Sequence, residues 1–486
     1  MLAKFSVRLK TVLLFLLIFY LLISFTSDFF NAKPSIPNGI LSSGGESTNE
    51  TEKLSEESTT ASRFHLPTET TTAAIDNASA IASPSPPFKS ALKDSDATLL
   101  DTVPAYIKAI MDPEDTTFPR LDCPVSNDHR YHYLNTKSSE TLHDSTTNLR
   151  PKYFFALDLH QRASLLPRLF GSIVESIRFL GPQNCALSVI EGRSDDGTFE
   201  ILSSLRKEIE CIGVKYYFNS SGIDPSAGDR INAGDRIKGL AELRNQALQP
   251  LMDYHYEGSS MDDTTIIFLN DVAICSEDIL ELIHQRRYQH ADMVCGMDWT
   301  YVGPDPTFYD VWIARGMNGD TFFEIPEDGS WDSAWNIFWN NPIARERIWE
   351  GKPFQVFSCW NGATAFTAKP FLESKIRFRG SHEHECPQGE PMTWCTEMWH
   401  LGYGKIAVIP IVNVEYSDEA ATKIKDAKGY VSGWVGRGGE SDARIEWEST
   451  PPVALKCMPN YGNQTWVPWE KQLGGMDPAP RGVDLV

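Results

Sequence analysis

Between residues 150 and 300, short apolar runs alternate with stretches whose apolar positions recur every three or four residues. The run 153–158 stays uncharged until Asp158 and predicts a strand buried on both faces. Leu165, Leu166, Leu169, Ile173, Ile177 and Leu180 follow at helical spacing and predict a helix over 165–180. Further strands are predicted over 185–190, 213–218 and 265–270, with a fifth opening at Met293. Further helices are predicted over 199–209, with Thr198 as N-cap, over 237–248, and from Ser276 to about 287. This alternation predicts an α/β domain with a parallel sheet and helices on both faces. Ligands in such a sheet lie beyond the carboxyl ends of the strands.

The first hundred residues have a different pattern. Lys4, Arg8 and Lys10 precede an uncharged, mostly Leu, Ile and Phe run over 11–27, and the first acid is Asp28. A cleaved signal peptide needs a small-residue site after the apolar run. None is clear here, and the run approaches the length of about 17–25 residues that spans a bilayer. The expected arrangement is a cytoplasmic tail over 1–10 and a transmembrane signal anchor over 11–27, with the remainder luminal. A stem over 28–100 is rich in Ser, Thr and Pro and lacks the apolar surface to offset its ordering entropy. A catalytic domain is expected over 101–470 and a short tail over 471–486.

The net charge of −21 argues against a nucleic-acid partner. Sequons at Asn49, Asn77, Asn219 and Asn463 fit a glycosylated luminal chain. Nine cysteines, an odd number, leave at least one unpaired in an oxidising lumen.

Three predicted strands end in polar clusters. The first ends in Asp158, Leu159 and His160, the second in the turn from Glu191 to Thr198, and the fourth in Asn270 and Asp271. In a parallel sheet these ends converge on one crevice. The first two clusters can bond a nucleotide, and Asn270 with Asp271 offers hard oxygen ligands for Mn2+ or Mg2+.

The chain here resembles the GT-A-fold glycosyltransferases. The turn containing Glu191, Ser194 and Asp195, the helix containing Arg244 and Asn245, and the stretch 268–272 are similar to their nucleotide-binding turn, their Ala-Arg-Asn helix and their Asp-x-Asp position. The pattern continues through 357–362, 385–391 and 399–404 and most resembles glycosyltransferase family 69, the fungal α-1,3-mannosyltransferases and capsule-associated proteins, over about 152–416. The resemblance implies a GT-A-like single domain with a mixed, mostly parallel sheet and a Golgi or ER location. It also implies a GDP-mannose donor, a mannose-containing glycan or polysaccharide acceptor, and a retaining α-1,3 transfer. Asn270, Asp271 and Val272 lack the two acids of Asp-x-Asp, so Asp271 stands as the sole carboxylate for a metal.

Other candidates lie further on. Trp360 and Asn361 can pack on and bond a sugar, and Asp310 and Trp312 lie in an aromatic, acidic segment suited to an acceptor groove. Glu390 is a candidate catalytic acid beside Asp271, with Glu397, in the helical run 392–401, as its weaker alternative. His384 is a candidate second metal ligand. His382, His384, Cys386 and Cys395 match no standard zinc spacing, and a disulfide of Cys386 with Cys395 is the competing reading. Two other functions compete with mannosyl transfer: use of another nucleotide-sugar, and non-catalytic glycan binding in polysaccharide secretion.

Overall fold

The computed structural model describes residues 96, 98–126, 128–135, 150–225, 233–254, 264–374, 376–435 and 444–473. The expected tail, anchor and most of the stem, Asn49, Asn77, and residues 474–486 lie outside the described residues. Among the described residues no helix is long and apolar enough to cross a membrane.

The apolar runs form strands β1 (Tyr153–Leu159), β2 (Cys185–Glu191), β3 (Lys215–Ser220), β4 (Thr265–Leu269) and β5 (Met293–Tyr301). Five more join their sheet: β6 (Pro306–Phe308), β7 (Arg315–Gly316), β8 (Phe354–Ser358), β9 (Ala363–Thr367) and β10 (Ile406–Val414). The order is β3-β2-β1-β4-β9-β5-β10-β8-β7, with β6 on β5. β1 pairs in parallel with β2 and β4, and β10 with β5, but β9 runs antiparallel between β4 and β5, and β8 runs antiparallel to β10. The sheet is therefore mixed and mostly parallel, rather than the wholly parallel one that the strand-helix alternation predicts. A separate hairpin pairs β11 (Ala454–Asn460) with β12 (Asn463–Pro468). Asn219 lies in β3, and Asn463 opens β12 with its side chain exposed.

Helices α1 (Leu166–Leu180), α2 (Thr198–Cys211), α3 (Ala233–Leu248), α4 (Ser276–Tyr288), α5 (Glu390–His400) and α6 (Asp418–Lys428) surround the sheet. Side chains alternate across a strand, so β1 feeds two cores. Phe155 and Leu157 pack with Ile173 of α1, Leu205 of α2 and Ile283 of α4. Phe154 and Ala156 face the other way, toward Ala247 of α3 and Trp394 of α5. Each fully buried Phe or Leu contributes about 1.5–3 kcal/mol.

Three local expectations shift. β3 starts two residues late because Gly213, at φ 95°, still belongs to the turn after α2. Thr198 is not the cap of α2: Asp196 Oδ1 accepts its backbone N–H at 3.0 Å, and its hydroxyl is used elsewhere. Glu390 opens α5 instead of preceding it.

Disulfides join Cys123–Cys275, Cys295–Cys359 and Cys386–Cys457, and Cys185, Cys211 and Cys395 are free. The pairing of Cys386 with Cys395 is thus corrected: Cys395 is buried within α5, and Cys386 reaches the hairpin.

Behind the sheet, Lys425 of α6 donates to both carboxylate oxygens of Asp278 at 2.8 Å, and neither side chain is exposed. Asp278 Oδ2 also accepts the Cys275 N–H at 3.0 Å, which caps α4. Removing one partner strands a buried charge. Lys425→Met is expected to destabilise the protein by roughly 3–5 kcal/mol in denaturant unfolding. Pairing it with Asp278→Leu should recover only part of that loss, because the Cys275 N–H then loses its acceptor; a single variant as stable as the wild type would contradict this.

Candidate active site

The carboxyl ends of β1, β2 and β4 open into one cleft of about 280 Å3. Asp158, His160 and Arg162 enter from β1 and its following loop, Arg236, Leu240 and Leu243 from α3, and Asp271 from beyond β4. Ile190 and Ile223 complete an apolar wall. Such a site can take a nucleotide: apolar side chains for the base, carboxylates for N–H and O–H donors, guanidinium groups for phosphate.

The turn after β2 builds this cleft indirectly. Ser194 Oγ accepts the Gln161 N–H at 2.9 Å, Thr198 Oγ1 the Arg162 N–H at 2.8 Å, and Asp196 Oδ2 the Ala163 N–H at 2.9 Å. Asp195 accepts from the Gln161 side chain. Glu191 is fully buried and accepts from Ser194 N and from Ser220 Oγ. Glu191, Ser194 and Asp195 therefore spend these bonds on holding the corner that presents Arg162, whose guanidinium pairs with Asp271.

Asn270 and Asp271 are fixed from the opposite side. Asn361, at φ 52°, and Gly362, at φ 75°, make a left-handed turn into β9. The Asn361 N–H donates to Asp310 Oδ2 at 2.9 Å and its side chain to Gly296 O at 2.8 Å. Gly362 O accepts the Asn270 N–H at 2.9 Å, and Trp360 Nε1 donates to Asn270 Oδ1 at 2.9 Å. Trp360 and Asn361 are buried. The acceptor contact expected of them is corrected: they are internal parts that hold Asn270.

Arg244 is buried with its guanidinium 4.5 Å from the Trp360 ring centroid, and it pairs with Glu390. Its Nε has no hydrogen-bond partner among the described residues. Asn245 turns away from the cleft and exchanges two hydrogen bonds with the Phe378 backbone, at 2.8 and 3.0 Å. Glu397 is buried and paired with Arg379. His384 is exposed, and no group of three or more metal-ligating side chains exists among the described residues.

The family described as Cryptococcal mannosyltransferase 1 matches residues 152–397. The α-1,3-mannosyltransferase CMT1 of Cryptococcus neoformans is 32% identical over 358 residues, covering 70% of this chain and 72% of its own. This chain belongs to that family of mannosyltransferases. Solved structures align loosely. The mannosyltransferase PcManGT from Pyrobaculum calidifontis, in complex with GDP-Man and Mn2+, shares 11% identity at a TM-score of 0.31, over 66% of this chain and 68% of its own. TarS of S. aureus shares 12% at 0.31, over 55% and 60%. At these scores neither likeness carries an argument about the mannosyltransferase.

Two cleft residues had no motif to announce them in the sequence: Arg162, three residues beyond β1, and Arg236, on the first turns of α3. A third omission, Asp298 of β5, is buried; it accepts the Tyr416 O–H at 2.8 Å, and its Oδ1 has no partner among the described residues. Its carboxyl is held well above the ordinary range by burial first and by Asp310 second. Asp310 is pushed up to about 6 by burial, against the Asn361 N–H and Arg244.

Asp158 in the mannosyltransferase is also pushed up to about 6, by burial first, with Glu390 and Asp271 adding and Arg244 opposing. Its unfolded value is lower, at about 3.9. Asp158 thus stabilises the fold fully below about pH 4, and that contribution is lost as pH rises through about 6. Asp158→Asn removes the loss. Its melting temperature relative to wild type should rise between about pH 4 and 7; a difference independent of pH would contradict the burial argument.

Proposed function

We propose that this mannosyltransferase uses GDP-mannose and transfers its mannose to a mannose-containing glycan, forming an α-1,3 linkage with retention. The observation that carries the reading is the 32% identity to an α-1,3-mannosyltransferase across 70% of the chain. The cleft supports it: Asp158, His160, Arg162 and Arg236 line one space, and in this reading the first two meet the nucleoside and the two arginines the diphosphate. In the reaction the bond from mannose C1 to the diphosphate breaks and the bond from the acceptor oxygen to C1 forms. The acceptor proton passes to the departing phosphate oxygen, so retention needs no separate base. Anchored by residues 11–27, the enzyme would work in the Golgi or ER lumen, where Asn463 is open to glycosylation.

A divalent cation, Mn2+ or Mg2+, fits the half-buried Asp271 if the donor diphosphate supplies most of its ligands, as such ions commonly accept. Bound there, it would neutralise the leaving group. Asp271 would have to exchange Arg162 for the cation, and Asn270 Oδ1 is already engaged by Trp360. That engagement favours a second reading in which Arg162 and Arg236 hold the diphosphate without metal.

Asp271→Ala is expected to lower kcat/KM by about a hundredfold to a thousandfold. Its melting should stay near wild type, because the half-buried side chain packs little. Glu390→Gln should cost less. Assays with a panel of nucleotide-sugars identify the donor, and chelation separates the two readings. Full activity of Asp271→Ala in chelated buffer would refute the role of Asp271 altogether.

A further inference from the structure

Beyond β6 the chain turns sharply: Val311 N–H donates to Tyr309 O at 2.8 Å and Ala314 N–H to Asp310 O at 3.1 Å. The turn sorts its side chains. Val311 and Ile313 are buried, whereas Tyr309 and Trp312 are 47% and 37% exposed. Asp310 is half-buried between them; one oxygen is tied to Asn361, and the other takes no hydrogen bond from any described residue. The Trp312 ring lies 4.8 Å from that of Tyr461, at the tip of the hairpin of β11 and β12.

The hairpin is held firmly in place. Cys457 is disulfide-bonded to Cys386, just before α5, Lys456 N–H donates to Gly319 O at 2.8 Å, and Arg315 Nε donates to Lys456 O at 2.9 Å. The other end of the strip is tied to the donor cleft through a shared support: Tyr309 meets Tyr416 edge-on at 5.2 Å, and Asp310 accepts the N–H of Asn361, whose neighbour Gly362 holds the Asn270 N–H.

We propose that Tyr309, Asp310, Trp312 and Tyr461 form the acceptor site and bind an extended oligosaccharide. A pyranose offers C–H groups on its faces and hydroxyls at its edge. Exposed aromatic rings suit the first and a carboxylate with an open oxygen suits the second. Asp310 bonds a hydroxyl of the sugar nearest the cleft, and Trp312 with Tyr461 packs on a sugar farther out. The hairpin that carries Tyr461 lies beyond residues 152–397 of the family match, and in this proposal it contributes the outer contact to a longer acceptor. This inference rests on the mannosyl-transfer reading.

The test uses the full chain, GDP-mannose, and two acceptors: an α-1,3-mannobiose and a longer α-1,3-mannan oligosaccharide. Trp312→Ala and Tyr461→Ala should each raise KM for the longer acceptor by about tenfold, the scale of one lost aromatic anchor. The disaccharide should suffer less than about threefold, and Tyr461→Phe should restore the longer acceptor. Calorimetric titration with the same oligosaccharides should follow the same order and needs no turnover. Wild-type KM for both acceptors in the Trp312→Ala, Tyr461→Ala double variant would overturn the proposal, as would a uniform loss on both. If the wild type transfers to neither acceptor yet binds the longer one through Trp312, the acceptor site stands and the donor reading fails. If it transfers normally and the strip variants bind like wild type, the donor reading stands and the acceptor site fails. Binding of an apolar protein to the strip with no saccharide binding also overturns it.

Discussion

The arrangement of the site depends on one short turn, at Asn361 and Gly362, held in the left-handed region by two hydrogen bonds from Asn361. It lets β9 enter antiparallel between β4 and β5. Its carbonyl also fixes the Asn270 N–H, so the end of β4 and the position of Asp271 follow from it. The space is tight for anything larger than glycine: a Cβ on Gly362 would lie 3.0 Å from Val272 Cγ1 and 3.3 Å from Val414 Cγ2, and the φ of 75° strains any other residue. Asn361 also donates to Asp310, so the proposed donor and acceptor groups would share one support.

Around that turn the charges are unfavourable unless compensated. Asp158, Asp298 and Asp310 all sit where burial raises their carboxyls above the ordinary range. Arg244 opposes this at Asp158 and Asp310 and Arg315 at Asp310, while Arg162 and Arg236 line the cleft with Asp158, in a chain whose net charge is −21. Arg244 is buried among Trp360, Phe268 and Phe378 and influences both Asp158 and Asp310. A diphosphate arriving at Arg162 and Arg236 would meet two guanidinium groups, one of them already paired with Asp271. Such placement costs stability in the empty protein and is a common property of sites that handle charge.

The legible parts of the fold were those with a local signature. β1, β2 and β4 are apolar runs, and α1 has its apolar stripe, so the crevice holding Asp158, His160 and Asp271 is legible in the sequence. β9 could not be read: 363–367 is short and rich in Ala and Thr, and its place depends on partners almost a hundred residues away in β4. Arg162 follows β1 without a motif, and its position comes from the turn around Ser194 and Thr198. Trp360 and Asn361 were recognisable as special, but sugar contact and internal support use the same residue types. The disulfide of Cys386 with Cys457 joins segments that spacing alone cannot pair.

The most direct measurement is a calorimetric titration of GDP into the full chain and into Gly362→Ala. The strain and crowding at φ 75° should displace the carbonyl that holds Asn270, and Asp271 with it. The account predicts a GDP affinity at least about tenfold weaker, with a cooperative melting transition retained. Wild-type affinity in a folded Gly362→Ala protein would contradict it.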